Sequence, residues 1–445
     1  MKLSKFNFYT KNKNNELLLF NTLQGTQSFL KIPAQKADSV SDYLSGNNAT
    51  QSIDENILDE LQKNGYVIAD SINEDAKLRS VYLKSIADSE LLLTIIPTEK
   101  CNFRCKYCYE SFPERDMNKE MQRAVILYLQ KNIRKYTSLH IAWFGGEPLL
   151  AIDIIEEMSE EIKNLCRFYK IPFTASITTN GYLLDTENFK RLLRCNVLYY
   201  QITIDGTKQI HDCQRPHETD KGSTYDVIIE NLKAIRDNVY ERLFRITIRS
   251  NFSKLHSNRI AEYKESFFNW FGDDKRFQFL IRPVMDWGGN AVDNFRDQLI
   301  DKTGVKQIYN EVMSAKNKLP YIYEDFLNNA GSVCEAGKKN SYIITPNGNI
   351  YKCTCNFDDC PEAKIGQLDA CGNMRIDENA ADQWLCSFSN CNLDCIYAPI
   401  CLREACSANR VLHGNRNIKC PIEKNNLVET LLLLDSQNEA FKKVE

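Results

Sequence analysis

From residue 91 onward, two patterns of apolar and polar positions alternate along the chain. Six apolar runs of seven residues each are separated by longer segments in which apolar residues recur every three or four positions. The runs predict strands at 91–97, 138–144, 173–179, 198–204, 244–250 and 277–283. The intervening segments, such as 118–134, 152–169 and 224–237, predict helices. This alternation predicts an α/β fold with a parallel sheet, either curved into a partial barrel or doubly wound.

Residues 1–90 predict a separate α+β module. Two apolar stretches at 6–9 and 16–20 indicate a hairpin, a capping-box pattern at 52–55 begins a helix, and Gly65 is placed to end it. Such a module could be a winged helix that binds DNA. However, it holds 10 Lys and Arg against 12 Asp and Glu, a net charge of −2, whereas duplex binders usually carry a basic face. A peptide-binding role through an exposed strand edge is favoured, and a purely structural cap is the alternative.

Three cysteines follow the first predicted strand of the sheet. Cys101, Cys105 and Cys108 are separated by three and two residues. Three thiolates on one loop can hold three irons of a cubane cluster and leave the fourth iron open to a small molecule. The alternatives are a zinc site or unrelated thiols. Zinc normally takes paired cysteines with a second Cys or His pair, and the next histidine along the chain is His140.

Polar residues and glycines follow the next four predicted strands, where the chemistry of parallel α/β folds is found. The glycines allow close approach of the backbone, a carboxylate can accept hydrogen bonds from an ammonium, and a guanidinium can hold a carboxylate. Each group alone could be ordinary turn chemistry, but the repetition favours a binding site. The residues are Gly145, Gly146 and Glu147 after the second strand, Thr179 and Asn180 after the third, Asp205 after the fourth and Arg249 after the fifth.

Composition narrows the class of protein. The chain has 445 residues, 43% hydrophobic and 26% charged, with a net charge of −3, so no overall field favours nucleic acid or an anionic membrane. It contains no run of about 18 apolar residues and no signal-peptide core, and we expect a cytoplasmic protein. Its 17 cysteines should then be reduced and available for metals. Cys166, Cys195 and Cys213 are expected to be small buried hydrophobes.

Eleven cysteines lie in the last quarter of the chain. Cys334 and Cys353 flank a predicted hairpin that turns at Asn347 and Gly348, which places both thiols at one end of a two-stranded ribbon. Residues 284–333 predict a helical bridge, and a final amphipathic helix is predicted from about 427 to 443. The late cysteines are Cys334, Cys353, Cys355, Cys360, Cys371, Cys386, Cys391, Cys395, Cys401, Cys406 and Cys420.

Together these motifs resemble the radical S-adenosylmethionine (SAM) enzymes. The three-cysteine loop with Tyr107 before the third cysteine is similar to that family's signature, and the strand ends resemble its SAM-binding turns. The late cysteines resemble the SPASM (twitch-type) extension, and residues 1–90 resemble the peptide-recognition element of maturases of ribosomally made peptides. The resemblance implies a partial (β/α)6 barrel over 91–283, a bridge over 284–333 and a cysteine-rich iron–sulfur domain over 334–445, with the winged-helix-like α+β module in front.

The resemblance also implies cofactors and ligands. SAM and three [4Fe–4S] clusters are expected, one holding SAM on Cys101, Cys105 and Cys108, and two auxiliary. Tyr107, Gly145, Gly146, Glu147, Thr179, Asn180, Asp205 and Arg249 are the implied SAM-binding residues. The implied auxiliary ligands are Cys334, Cys353, Cys391, Cys395, Cys401, Cys406 and Cys420. Two full clusters need eight cysteines, so an eighth ligand is sought among Cys355, Cys360, Cys371 and Cys386, with Cys355 as the named candidate.

The function implied is a maturase that abstracts hydrogen from a ribosomal precursor peptide through a 5′-deoxyadenosyl radical. A carbon–carbon or thioether crosslink is the favoured product, and a flavodoxin- or ferredoxin-type reductant is the implied electron donor. One alternative is a sulfatase-maturing oxidase that makes formylglycine; in those relatives an Asp follows the hairpin cysteine and serves as the base, whereas Thr354 follows Cys353 here. An alternative of another class is a non-catalytic iron–sulfur regulator. No residue is assigned as the general base.

Overall fold

A computed structural model gives the fold. It describes residues 1–46, 53–86, 89–256, 259–286, 292–313, 327, 334–357, 360–385, 394–400, 407–413, 427–436 and 441–444. Within these parts of the chain, no helix combines the length and apolar character that a bilayer crossing requires.

The first part of the chain is an α+β module, as the pattern predicts. Its antiparallel sheet consists of β2 (Asn7–Lys11), β3 (Leu17–Asn21) and β4 (Leu30–Ile32), while β1 (Lys2–Leu3) pairs with β5 (Val67–Ile68). The helices are α1 (Ala34–Leu44), α2 (Glu55–Lys63) and α3 (Glu74–Ile86). The predicted hairpin is therefore confirmed.

The start of α2 differs from the predicted capping box. The cap is Asp54, whose side chain accepts a hydrogen bond from the backbone N–H of Asn56 at 3.0 Å. Ser52 lies outside the described residues. Gly65 follows the helix with φ +79°, a left-handed conformation that favours glycine and ends a helix.

Six parallel strands form the centre of the molecule in chain order, which confirms the α/β fold. They are β6 (Glu90–Ile95), β7 (Ser138–Trp143), β8 (Phe173–Thr179), β9 (Val197–Thr203), β10 (Arg245–Phe252) and β11 (Phe277–Pro283). The helices between them are α4 (Lys119–Asn132), α5 (Ile152–Tyr169), α6 (Thr186–Arg194), α7 (Lys208–Gln214), α8 (Thr224–Asn238) and α9 (Ile260–Phe271). Alternate strand residues such as Leu91, Leu93 and Ile95 are fully buried in the main apolar core. This alternation leaves the other face of the strands free to line an interior.

The cysteine-rich part continues the same sheet instead of forming a separate one. Strand β12 (Ser341–Ile344) pairs in parallel with β6, and β13 (Asn349–Tyr351), β14 (Gly366–Leu368) and β15 (Met374–Ile376) follow it antiparallel, giving ten strands in this sheet of the described residues. The predicted hairpin is present, and Gly348 adopts φ +78° at its turn. Cys334 and Cys353 flank it at the end opposite the turn.

Helices complete the second half of the chain. α10 (Lys302–Met313) lies within the segment predicted as a helical bridge. α11 (Glu378–Trp384), α12 (Ser407–His413) and α13 (Leu427–Ser436) follow the last strands of the large sheet.

The prediction of one final helix to residue 443 is wrong. Helix α13 ends at Ser436, and β16 (Lys442–Lys443) pairs in parallel with β4. The tertiary environment decides the conformation here, because residues 442–443 lie along an open strand edge of the N-terminal sheet.

Candidate active site

The three-cysteine loop is attached to the segment that follows α7. The backbone N–H of Arg104 donates to the carbonyl of Pro216 at 3.0 Å, and that of Lys106 donates to Gln214 at 2.9 Å. Phe103 is fully buried and makes an edge contact with His217, the ring centroids being 6.2 Å apart. The loop is thus held by backbone bonds and an aromatic anchor, and its cysteines face the interior.

All three thiols of the loop border one cavity of about 410 Å³ inside the barrel. Its wall also contains inward-facing polar residues of successive strands, among them Thr94, Ser176 and Gln201. A cavity of this size lies in the range of small-molecule sites. Of the predicted SAM-binding residues, six line it: Tyr107, Gly145, Gly146, Thr179, Asn180 and Arg249.

The three thiols fit an iron–sulfur cluster in residue type and in bordering the same cavity. Burial raises the pKa of Cys101, Cys105 and Cys108, and neighbouring carboxylates such as Glu147 and Glu110 add to the shift. A metal would therefore have to displace protons from these thiols. Among the described residues, no three Cys, His, Asp or Glu side chains converge into a ready-made metal site.

The two glycines after β7 allow this strand end to pack against the stem of the cysteine loop. A Cβ on Gly146 would lie 2.3 Å from the carbonyl oxygen of Lys100, and one on Gly145, at φ +122°, would lie 2.5 Å from that of Thr98. No side chain fits in either place. The sequence suggested that the glycines allow a ligand to approach, and the structure adds close backbone packing as a second reason for them.

Glu147 is one of the two predicted SAM-binding residues that do not border the cavity. Its carboxylate is fully buried and does not border the cavity. It accepts hydrogen bonds from the Thr179 hydroxyl at 2.7 Å, the Asn180 backbone N–H at 2.7 Å and the Leu149 backbone N–H at 3.0 Å. Burial raises the pKa of Glu147, while these donors oppose that shift. The geometry favours a positioning role over the predicted contact with an ammonium, and that contact stays a prediction.

Tyr107 and Asp205 form the centre of a buried polar network. The Tyr107 hydroxyl donates to Asp205, and it accepts from Arg215 at 3.0 Å and from the Asn251 side chain at 3.2 Å. Asp205 also accepts from the Asn251 backbone N–H at 2.8 Å. Asp205 is fully buried and does not border the cavity, so it supports Tyr107. The Arg249 guanidinium, which lines the cavity, donates to Asn251 at 2.8 Å.

Sequence reasoning assigned no role to several cavity residues. Arg215 directly follows α7 and borders the cavity, as do Tyr109, Glu110 and Glu335. Burial raises the pKa of Glu110 to about 8, and the negative charge of Cys355 adds to this shift. Tyr109, Glu110 and Glu335 follow Cys108 or Cys334 closely in the sequence, which is the one signal that could have indicated them. However, the sequence pattern does not show which neighbours of a cysteine face the cavity.

The late cysteines differ in their exposure and in whether they line the cavity. Cys355 lines the cavity, and its backbone N–H lies 3.4 Å from the sulfur of Cys353. Cys371 is exposed in the turn between β14 and β15, which sets it apart as a candidate for the eighth ligand. Cys395 is half-buried. The candidates outside the described residues are Cys386, Cys391, Cys401, Cys406 and Cys420.

The three scattered cysteines only partly match their prediction. Cys166 and Cys195 are buried, as expected. Cys213 is exposed and its sulfur accepts a hydrogen bond from Lys106 at 3.2 Å. The prediction that Cys213 is a buried hydrophobe is therefore wrong, because its position on α7 faces solvent.

Comparison with known proteins finds a family match within the barrel. Residues 95–251 match the Radical SAM superfamily, a stretch that begins at the end of β6 and ends within β10. This part of the chain is therefore similar to the radical SAM enzymes. This match covers the cysteine loop and the ends of β7, β8 and β9, which line the cavity.

Curated relatives resemble a longer part of the chain. A cysteine-type anaerobic sulfatase-maturating enzyme of Clostridium novyi is 26% identical over 349 residues, which are 70% of this chain and 86% of that protein. The radical SAM cyclopropyl synthase TigE of Paramaledivibacter caminithermalis is 24% identical over 60% of this chain and 61% of its own length.

Solved structures share the fold. The structure of anSMEcpe with bound AdoMet and Kp18Cys peptide superposes with a TM-score of 0.58 at 17% identity, over 78% of this chain and 99% of that one. Streptococcus suis SuiB bound to its precursor peptide SuiA gives a TM-score of 0.50 at 16% identity, over 95% of this chain and 99% of that one. At these identities the likeness establishes the fold alone.

Proposed function

We propose that this chain is a radical SAM maturase that abstracts hydrogen from a ribosomal precursor peptide, with a carbon–carbon or thioether crosslink as the favoured product. The observation that carries the proposal is that Cys101, Cys105, Cys108 and Cys355 border the same cavity. The three-thiol site and the cysteine-rich part of the chain thus border the same cavity, so a reactive species formed at the first cluster would arise beside the late cysteines.

The roles of the protein groups follow from their positions. Cys101, Cys105 and Cys108 would hold a [4Fe–4S] cluster, and two auxiliary clusters would be held by the late cysteines. Together with SAM, the first cluster would supply a 5′-deoxyadenosyl radical when bound. Thr179 and Asn180 present polar groups to the cavity for a ribose or a carboxylate, and Arg249 presents a guanidinium.

The same cavity would receive the peptide. Its lining includes Met285, Glu335, Thr354 and Cys355. The mixture of apolar and carboxyl groups suits an extended chain with one side chain inserted. Electrons would come from a flavodoxin- or ferredoxin-type protein, and we place the reaction in the cytoplasm, where the thiols stay reduced.

Formylglycine formation is the second candidate, and it is favoured by the similarity to the Clostridium novyi sulfatase-maturating enzyme. The position after Cys353 counts against it. Thr354 lines the cavity, but a threonine hydroxyl is not a general base near neutral pH, whereas the sulfatase-maturing relatives carry an Asp there. The non-catalytic regulator is disfavoured by the cavity that the three thiols and the polar strand ends line together.

SAM cleavage by reduced, anaerobically reconstituted protein tests the proposal. We expect 5′-deoxyadenosine from the wild type and none from Cys105→Ala, with iron falling from about twelve to about eight atoms per chain. Cys213→Ser removes an exposed thiol and should retain both. Absence of cleavage by fully loaded wild-type protein would rule out the enzyme.

Mass spectrometry of a precursor peptide encoded beside the gene identifies the product. Loss of two hydrogens without fragmentation indicates a crosslink, and conversion of a cysteine or serine to formylglycine supports the second candidate.

A further inference from the structure

A histidine on β7 connects the cavity to the opposite end of the barrel. The Nε2 atom of His140 lies 2.9 Å from the Ser176 hydroxyl, and its Nδ1 atom lies 2.8 Å from the Thr174 hydroxyl. Ser176 borders the cavity. Thr174 is the second residue of β8, so it lies nearer the end of the parallel strands that is opposite the cysteine loop. One imidazole thus bridges two hydroxyls at different depths of the barrel.

The interior at that end of the barrel is open to solvent. Successive residues of a strand point to opposite faces of the sheet. Tyr200 of β9 is buried in the main apolar core, so Tyr199 points into the barrel, where its ring centroid lies 6.3 Å from that of His140. Tyr199 is nevertheless 51% exposed, and Thr174 is half-buried. A proton that reaches Thr174 can therefore pass to water.

The imidazole of His140 has the chemistry of a proton carrier. Its titratable neighbours include Tyr199 on β9 and Lys338 before β12. Burial lowers the pKa of His140 to about 4, and the positive charge of Lys338 adds to this shift, so the ring is neutral near pH 7. A neutral imidazole accepts a hydrogen bond at one nitrogen and donates one at the other. A proton that arrives at Nε2 from Ser176 can therefore be balanced by release of the Nδ1 proton to Thr174.

Crosslink formation would release such a proton inside the cavity. Abstraction by the 5′-deoxyadenosyl radical breaks one C–H bond of the peptide and forms one C–H bond in 5′-deoxyadenosine. The peptide radical then forms its new bond to sulfur or carbon. The S–H or C–H bond at that second atom breaks, and its hydrogen leaves as a proton and an electron. The electron would pass to an auxiliary cluster, whereas the proton requires an acceptor and a way out.

We propose that Ser176, His140 and Thr174 form a path that carries this proton from the cavity to solvent at the end of the barrel opposite the cysteine loop. The Ser176 hydroxyl takes up the proton at the cavity wall as its own proton passes to Nε2 of His140. The Nδ1 proton then passes to Thr174 and on to water. The source of the proton rests on the proposed function, and His140 acts through Ser176 as a positioning and proton-transfer residue.

The test separates proton release from SAM cleavage in the reconstituted, fully loaded chain, using the precursor peptide encoded beside the gene. His140→Gln keeps a donor and an acceptor for the two hydroxyls but cannot exchange one proton for another. In a single turnover we expect 5′-deoxyadenosine at the wild-type rate and crosslinked peptide about tenfold more slowly or worse. Ser176→Ala should give the same result, because it disconnects the ring from the cavity. Tyr199→Phe keeps the ring contact with His140 and is the matched control, which should form product as wild type does.

Two further measurements distinguish a proton path from a structural support. The solvent deuterium isotope effect on crosslink formation should be larger in His140→Gln than in wild type, because proton release becomes the slow step. In His140→Ala, added imidazole should restore product formation. Pyrrole has the same ring size but no nitrogen that accepts a proton, and it should restore nothing.

The proposal is overturned if His140→Gln and Ser176→Ala form product as fast as wild type, or if pyrrole restores His140→Ala as well as imidazole does. It is equally overturned if the variants lose SAM cleavage and product together, since that is the pattern of a structural role.

Failure of the proposed function has a different signature, because it is read from the wild type alone. A wild-type chain that cleaves no SAM refutes the maturase and, with it, the source of the proton. A wild-type chain whose product forms equally fast in both path variants keeps the maturase and refutes the path. The same assays apply if the product is formylglycine, because that oxidation also releases a proton and an electron from the peptide radical.

Discussion

The Oε1 atom of Glu147 lies 2.7 Å from the hydroxyl of Thr179, and its Oε2 atom lies 2.7 Å from the backbone N–H of Asn180. One buried carboxylate thus joins the loop after β7 to the end of β8. These are two neighbouring strand ends, and both contribute residues to the cavity. The position of Thr179 and Asn180 at the cavity wall therefore depends on a residue that does not reach it.

Glu147→Gln tests this relationship. Both carboxylate oxygens of Glu147 accept hydrogen bonds. The glutamine side chain replaces one of these oxygens with an NH2 group, which would face the donor and cannot accept from it. We expect a loss of about 1–3 kcal/mol in the free energy of unfolding and a several-fold weaker SAM affinity, measured by denaturant titration and by equilibrium binding. Glu161→Gln, at an exposed position of α5, should change neither. Unaltered SAM affinity in Glu147→Gln would show that the carboxylate does not position the strand ends.

Tyr107→Phe tests the buried network around Asp205. The change removes the hydroxyl that accepts from Arg215 at 3.0 Å, leaving a buried guanidinium without that acceptor. We expect a loss of about 2 kcal/mol in stability, together with weaker SAM binding because Tyr107 lines the cavity. Tyr240→Phe, where the side chain is 85% exposed, is the matched control. Equal unfolding midpoints for both variants would contradict the network's role.

The sequence predicted the barrel strands to within one to two residues because each is a short segment with apolar residues on its buried face. It also predicted which strand ends carry polar groups. It could not separate Thr179, which faces the cavity, from Glu147 and Asp205, which are buried behind it, since orientation at a loop depends on tertiary packing. The same limit explains residues 441–444, whose strand depends on an edge contributed by β4 over 400 positions earlier in the chain.

Lys352→Met tests how the hairpin before Cys353 is held. The Lys352 ammonium is buried and donates to the carbonyls of Lys338, Lys339 and Ser341 at 2.7, 3.1 and 2.9 Å. These carbonyls belong to the segment that follows Cys334, so one side chain connects the surroundings of two candidate ligands.

Methionine retains the apolar stem and removes all three donors. We expect about 3 kcal/mol of destabilisation and loss of auxiliary iron, while the iron held by Cys101, Cys105 and Cys108 remains. Iron analysis combined with electron paramagnetic resonance measures both populations. Lys364→Met, at an exposed position, should keep the full iron content, and an unchanged auxiliary signal in Lys352→Met would contradict the role of Lys352.

We expect His140 to contribute to the pH dependence of the free energy of unfolding. Its ring nitrogens lie 2.8 Å from the Thr174 hydroxyl and 2.9 Å from the Ser176 hydroxyl, and burial lowers its pKa from 6.5 to about 4. Between these two values the unfolded chain binds more protons at this residue than the folded chain does. Stability therefore rises with pH across this window and is lost as the pH falls from about 6.5 toward 4.

His140→Gln should remove that part of the dependence, because a neutral amide can bond the same hydroxyls without titrating. Between pH 7.5 and pH 5, wild type should lose about 2 kcal/mol more than the variant in the free energy of unfolding, measured by urea titration at both values. His211 and His256 are also buried with lowered pKa values, but they are present in both proteins and cancel in the difference. Parallel pH profiles for the two proteins would mean that His140 is protonated as readily in the folded chain as in water, against its burial beside Thr174 and Ser176.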